Sequence, residues 1–263
     1  MKKNKATRRT FVQQATIGLA GIVATPFATK ATSFSLDPGE SKPANKLNIL
    51  CVGAHPGDPE FGCGGTLAKY SEAGHNVTLL YLTRGEAGDP SKSYAESAAL
   101  RTKEAEIACN IIKAKPVFAG QIDGNTELNK VRNEEMTKLI IAQKPDIVFT
   151  QWPVDSHVDH QVTGLLALTA WVRSGRQFNL YYYEVNTGSE SMGFVPTDYV
   201  DITSMRQKKK EMMFAHQTQS PQETYDEFFK TMEEFRGLEA GVKAAEAFVH
   251  FKTKADRVTI IGL

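Results

Sequence analysis

From Lys46 onward, short apolar runs alternate with longer amphipathic ones. LNILCVGA (47–54) has the length and composition of a buried strand, and GTLAKYSEAG (65–74) has helical spacing that closes at Gly74. HNVTLLYLT (75–83) predicts a second strand. YAESAALRTKEAEIACNIIKA (94–114) predicts a long helix with Leu100, Ala105, Ile107, Ala108 and Ile111 supplying most of its apolar face. PVFAG (116–120), PDIVFTQ (145–151) and NLYYYEV (179–185) read as three more strands, separated by helical stretches at 126–143 and 160–174. Beyond about Ser204 the pattern is mostly helical, with a last strand at VTIIG (258–262). Strands alternating with helices imply an α/β fold, Rossmann-like, with a mostly parallel sheet and helices on both faces. No internal repeat interrupts residues 47–263, which read as one domain.

The first 33 residues do not share this pattern. Basic residues, then a moderately apolar run, then small residues are the layout of an export signal. Arg8-Arg9 followed by Thr10-Phe11-Val12 has the look of a twin-arginine signal, which implies a periplasmic or extracellular destination. Gln13, Gln14 and Thr16 make the run a poor membrane anchor, so no stable membrane insertion is expected once the signal is removed. Residues 34–46 read as a polar linker.

A net charge of +1 among 23% charged residues gives no footprint for nucleic acid. Three cysteines, Cys51, Cys63 and Cys109, in apolar contexts read as buried thiols rather than a disulfide framework.

In open parallel sheets, ligands bind beyond the carboxyl ends of the strands. Three polar clusters fall there: HPGD after the first strand, RGEAGD after the second and WPVDSHVDH after the fourth. His55 and Asp58 share one tight loop; His157, Asp159 and His160 open a helix about a hundred residues later. Two histidines and a carboxylate can hold a divalent metal and leave positions for water and substrate. Spacing alone does not choose among His55, Asp58 and His160, because His157 can equally ligate. GCGGT (62–66) lacks the Lys-Ser/Thr ending of a phosphate loop and the spacing of a dinucleotide fingerprint, so it reads as tight helix–strand packing. Tyr181–Tyr183 read as an alternating strand with one buried face, RQKKKE (206–211) as a solvated helix face, and His75 and His250 as incidental.

AHPGDPEFGCGGTLAKYSEAGHNVTLLYLTRGEAG together with HVDHQ resembles the PIG-L, or LmbE-like, deacetylase family. The likeness extends over TRGEAG, the helix bearing Arg101 and Glu104, and HQTQ at 216–219, so that it runs from about residue 47 to 220. It implies a Zn2+-dependent hydrolase, or one using another divalent transition metal, that removes acetyl groups from N-acetylglucosamine-type sugars or glycoconjugates. It further implies His55, Asp58 and His160 as metal ligands, His157 as the oxyanion donor and Asp159 as a support for a neighbouring histidine. His216 enters only as a further candidate.

The family's general-base aspartate corresponds to Gly57, which cannot accept a proton. General-base assistance contributes about 10²–10⁴-fold. Three readings follow: an active hydrolase whose base comes from Asp155, Glu86, Asp89 or Glu60; a metal- and sugar-binding protein with little catalysis; or another metal-assisted reaction on a glycoside. A non-enzymatic interaction domain is the remaining class, and it has no reason to keep the matched metal residues together.

Overall fold

β1 (Asn48–Gly53) alternates between two apolar cores: Ile49 and Cys51 enter one, Leu50 and Val52 the other. The same parity holds in β2 (Asn76–Tyr81), where Val77, Leu79 and Tyr81 face the first core and Leu80 the second. A strand buried on both faces needs apolar residues at nearly every position, which is why these segments read as continuous runs. The computed structural model describes residues 46–186 and 189–252.

The remaining strands are β3 (Lys115–Phe118), β4 (Ile147–Gln151), β5 (Asn179–Tyr183), β6 (Asp198–Asp201) and β7 (Ala245–His250). They form one sheet in the order β3-β2-β1-β4-β5-β7-β6. The first five pair in parallel; β7 is antiparallel to both β5 and β6. The chain leaves β1 toward β2 and β3, then returns to place β4 on the other side of β1. That reversal opens a crevice above the carboxyl ends of β1 and β4.

Helices cover both faces. α1 (Asp58–Glu72), α2 (Tyr94–Ile111) and α5 (Arg206–Phe214) pack on the first core; α3 (Lys130–Ala142) and α4 (Val158–Arg173) pack on the second. A 3-10 turn (Gln217–Gln219), α6 (Pro221–Thr224), a π turn (Tyr225–Phe229) and α7 (Lys230–Ala240) complete the C-terminal part. Among the described residues, no helix is long and apolar enough to cross a membrane. The export signal, nearly all of the linker and the strand expected at VTIIG lie outside the described residues.

Several expectations need correction. α1 starts seven residues earlier than the spacing suggested, because its glycines are an interface. A Cβ on Gly62 would stand 2.5 Å from the Tyr183 ring, and one on Gly65 would stand 2.7 Å from Ile202. α2 buries Arg101, Glu104, Ala105 and Ala108, while Leu100 and Ile107 stay exposed. Arg101 and Glu104 are drawn inside by partners: Arg101 donates to the Pro56 carbonyl, and Glu104 accepts from the Thr218 amide and hydroxyl. Tyr182 and Tyr183 are both buried, on opposite faces. Lys209 in the basic stretch is fully buried between Glu233 and Glu246, not solvated. β7 lies inside the C-terminal stretch expected to be mostly helical; its Glu246 points inward to accept the Gly65 and Thr66 amides. Cys51, Cys63 and Cys109 are buried free thiols.

Gly62→Ala is expected to destabilise the fold by about 1–3 kcal/mol through overpacking against β5. Denaturant unfolding at constant m-value is the check, and an unchanged midpoint would contradict the close helix–sheet contact.

Candidate metal centre

β1 ends at Gly53, and the chain turns at once so that His55 and Asp58 sit over the crevice. Gly57 makes that turn at φ +114°, a conformation open to glycine and strained for other residues. Asp58 is the first residue of α1, where helix amide dipoles favour a carboxylate. From the other side of the reversal, Gln151 at the end of β4 holds the loop in place: its Oε1 accepts the Ala54 amide at 2.8 Å and its Nε2 donates to Asp58 Oδ2 at 3.0 Å.

Asp58 Oδ2 is the meeting point. It lies 3.2 Å from His55 Nδ1 and 3.6 Å from His160 Nε2, and it accepts the His55 amide at 2.7 Å. Ligand atoms of a tetrahedral zinc with bonds of about 2.1 Å stand roughly 3.4 Å apart, so the Asp58–His55 and Asp58–His160 separations each match one ligand-to-ligand edge. Each imidazole presents its other nitrogen to carboxylates. His55 Nε2 is 3.1 Å from Asp123 Oδ1 and 3.1 Å from Asp159 Oδ2; His160 Nδ1 is 3.2 Å from Asp155 Oδ1. Such outer carboxylates fix ring orientation and ligand basicity at metal sites.

His157 differs. It caps α4, and its Nδ1 accepts the Asp159 amide at 3.3 Å. In the neutral ring the proton therefore sits on Nε2, which makes that atom a donor. Burial, then the neighbouring His55 and His160, push the His157 pKa down and favour the neutral form. His55, His157 and His160 can each bring a nitrogen within 4.8 Å of one another, as can His55 and His157 with a carboxylate oxygen each of Asp123 and Asp159; Asp155, His160 and Glu190 form a third such group. Asp58 belongs to none of these three groups, and its two contacts to His55 and His160, with the His157 ring turned to accept the Asp159 amide, make His55, Asp58 and His160 a fourth candidate set.

Burial alone would lower the His55 pKa, but Asp58 foremost, with Asp123 and Asp159, holds it well above the ordinary value. His160 is likewise raised against its burial by Asp58 and Asp155. Asp58 is correspondingly held far below the usual carboxylate range by His160 and His55, despite burial.

The Asp159 carboxylate supports His55 rather than the adjoining His160. It is fixed in turn by the Gly124 amide at 2.8 Å and the Thr126 hydroxyl at 2.6 Å. None of the four acids considered for the missing base lines the cavity. Asp155 is held by Ser191 and the His157 amide, Glu86 by the Arg84 and Asp123 amides, and Asp89 pairs with Lys92. Glu60 is fully buried with Tyr81 and His216, so His216 belongs to a buried network behind Gly57. The cavity, about 490 Å³, is lined instead by Asp58, Asp123, Glu190, Arg101, Phe61 and Phe229 together with the three histidines. Asp123 and Glu190 were missed. Asp123 follows β3 and obeys the same strand-end rule as the other clusters, whereas Glu190 lies in a loop whose sequence carries no motif.

Residues 50–171 match the family model described as PIG-L: GlcNAc-PI de-N-acetylase, and the chain carries a PIG-L (LmbE-like) family domain. It is 29% identical over 239 residues to the diacetylchitobiose deacetylase of Thermococcus kodakarensis, covering 83% of this chain and 89% of that one. A probable N-acetyl-alpha-D-glucosaminyl L-malate deacetylase 2 of Bacillus anthracis is 26% identical, over 66% of this chain and 82% of its own. The solved N,N'-diacetylchitobiose deacetylase of Pyrococcus horikoshii superposes with a TM-score of 0.72 at 26% identity, over 83% of this chain and 88% of that one.

Because carboxylates raise the His55 and His160 pKa values in the metal-free protein, a metal ion competes with protons for both rings. Affinity is therefore expected to fall as pH drops through the raised histidine values, with proton release seen by calorimetry in buffers of different ionisation enthalpy. Asp155→Asn, which leaves His160 without its orienting carboxylate, is expected to weaken metal binding about 10–100-fold. Proton-free binding, or unchanged affinity in the variant, would contradict this arrangement.

Proposed function

We propose that this protein is a metal-dependent hydrolase that removes the acetyl group from an N-acetylated sugar or glycoconjugate. The observation that carries the reading is the convergence of His55 and His160 on Asp58 beside a cavity of sugar size. The related deacetylases support the substrate class. His55, Asp58 and His160 would hold the ion, with Zn2+ the expected metal for this donor set. When bound there, a divalent ion would supply Lewis-acid polarisation of an amide carbonyl and a lowered pKa for water.

The chain supplies the rest. His157 Nε2–H would donate to the carbonyl oxygen as negative charge develops there, a role supported by its Nδ1 accepting the Asp159 amide. Asp123 and Asp159 keep His55 turned toward Asp58. Phe61 and Phe229 offer apolar faces to the sugar ring. The twin-arginine-like segment supports action on extracytoplasmic glycans.

A second reading, a catalytically weak member that binds metal and sugar, is favoured by Gly57. No side chain stands there, and the backbone at φ +114° is adapted to its absence. A Cβ at that position would meet only the Phe61 and His216 rings, at 3.8 and 3.9 Å. Those are ordinary van der Waals contacts, and a side chain there would carry a backbone cost of about 1–3 kcal/mol.

Acetate release by the zinc-loaded protein from a panel of N-acetylated sugars is the test. Wild type is expected to release acetate, Asp58→Asn to release none, and His157→Ala to be about 10²–10³-fold slower. Activity only in Gly57→Asp would select the weak-member reading. No release from any variant on any sugar would overturn the deacetylase assignment.

A further inference from the structure

The charged lining of the cavity is one-sided. Asp58, Asp123 and Glu190 face it, with Asp155 and Asp159 directly behind the histidines; Arg101 is the one Lys or Arg side chain in the lining among the described residues. Arg101 is already committed: it donates to the Pro56 carbonyl at 2.6 Å, and its guanidinium lies against the backbone of Gly85 and Gly88, where a Cβ would come within 2.5 and 2.6 Å of it. Even with a divalent ion bound, the carboxylates outweigh the cations.

Among these acids, Glu190 is distinct. Asp58 accepts from Gln151 and the His55 amide, and Asp123 from the Ala87 amide. The Glu190 carboxylate accepts no hydrogen bond among the described residues; its nearest charged partner is His160 Nδ1, at 4.0 Å. The side chain is 35% exposed. Its backbone, by contrast, is pinned. The Glu190 amide donates to the Asn186 carbonyl at 2.8 Å, its carbonyl accepts the Ser156 amide at 2.9 Å, and the adjoining Ser191 hydroxyl donates to Asp155 at 3.0 Å. A fixed mount with a free acceptor, on the wall of a ligand cavity, is the arrangement of a recognition group.

We propose that Glu190 is a specificity-determining residue: its carboxylate receives the hydroxyl or ammonium donors of an amino sugar, and with the surrounding acids it excludes sugars that carry phosphate or carboxylate. The proposal rests on the amino-sugar reading of the cavity. It selects neutral and amine-bearing glycans, and it makes the cationic product a ligand in its own right.

The experiment compares zinc-loaded wild type, Glu190→Gln and Glu190→Asp. Calorimetry measures glucosamine binding, and acetate release is measured on N-acetylglucosamine and on its 6-phosphate. Glu190→Gln is expected to weaken glucosamine binding about 10–100-fold, as loss of a charged hydrogen-bond partner does. It should raise the phosphate-to-neutral ratio of kcat/KM about tenfold, raise KM for the neutral sugar and leave metal content unchanged; Glu190→Asp should restore part of the binding. Binding and ratio both within twofold of wild type would overturn the proposal. Loss of metal in Glu190→Gln would also overturn it, by making Glu190 a support for His160. Weakened glucosamine binding without acetate release from any variant would sustain the role of Glu190 while removing the hydrolase reading.

Discussion

One carboxylate oxygen organises this molecule. Asp58 Oδ2 touches His55 from its own loop, His160 from α4 and Gln151 from the end of β4. These contacts tie the two strands that flank the sheet's reversal point. A buried anion is costly unless it is paired and hydrogen-bonded, and here two imidazoles, a side-chain amide and a backbone amide share the task. In turn the imidazoles need carboxylates on their far nitrogens, which recruits Asp123, Asp155 and Asp159. The site is thus a closed set of dependencies in which no ring is oriented by packing alone.

The supporting layers follow from that demand. Bringing α1 close enough to aim Asp58 at the crevice requires glycines where a helix would ordinarily carry side chains, and Tyr183 and Ile202 fill the space they leave. The buried Lys209–Glu233–Glu246 cluster anchors α5, α7 and β7 around the same helix. Removing one member of such a cluster costs more than its net contribution, because it leaves a buried charge unpaired. Stability and site geometry are coupled through α1.

Much of this was legible in the sequence, for identifiable reasons. β1, β2 and β4 announce themselves because strands buried on both faces must be apolar throughout. His55, Asp58, His157 and His160 stand out because they cluster after strand ends, where the fold puts ligands. What failed to show was whatever depends on tertiary partners. The inward turn of Glu246 and Lys209, and the burial of Arg101 in place of Ile107, are set by groups far away in the chain. Asp123 and Glu190 are single acids in loops, and only the folded chain brings them to the histidines. The identity of the residue behind each imidazole was likewise beyond local spacing: Asp159 adjoins His160 in sequence but serves His55.

The central claim is that His55, Asp58 and His160 together hold one metal ion. Its most direct test is a crystal structure of the zinc-loaded protein with anomalous data at the metal edge. The account predicts a single peak within about 2.3 Å of a His55 nitrogen, an Asp58 oxygen and a His160 nitrogen, with His157 Nε2 free to donate. A peak held by the three histidines without Asp58, or one seated among Asp155, His160 and Glu190, would contradict it.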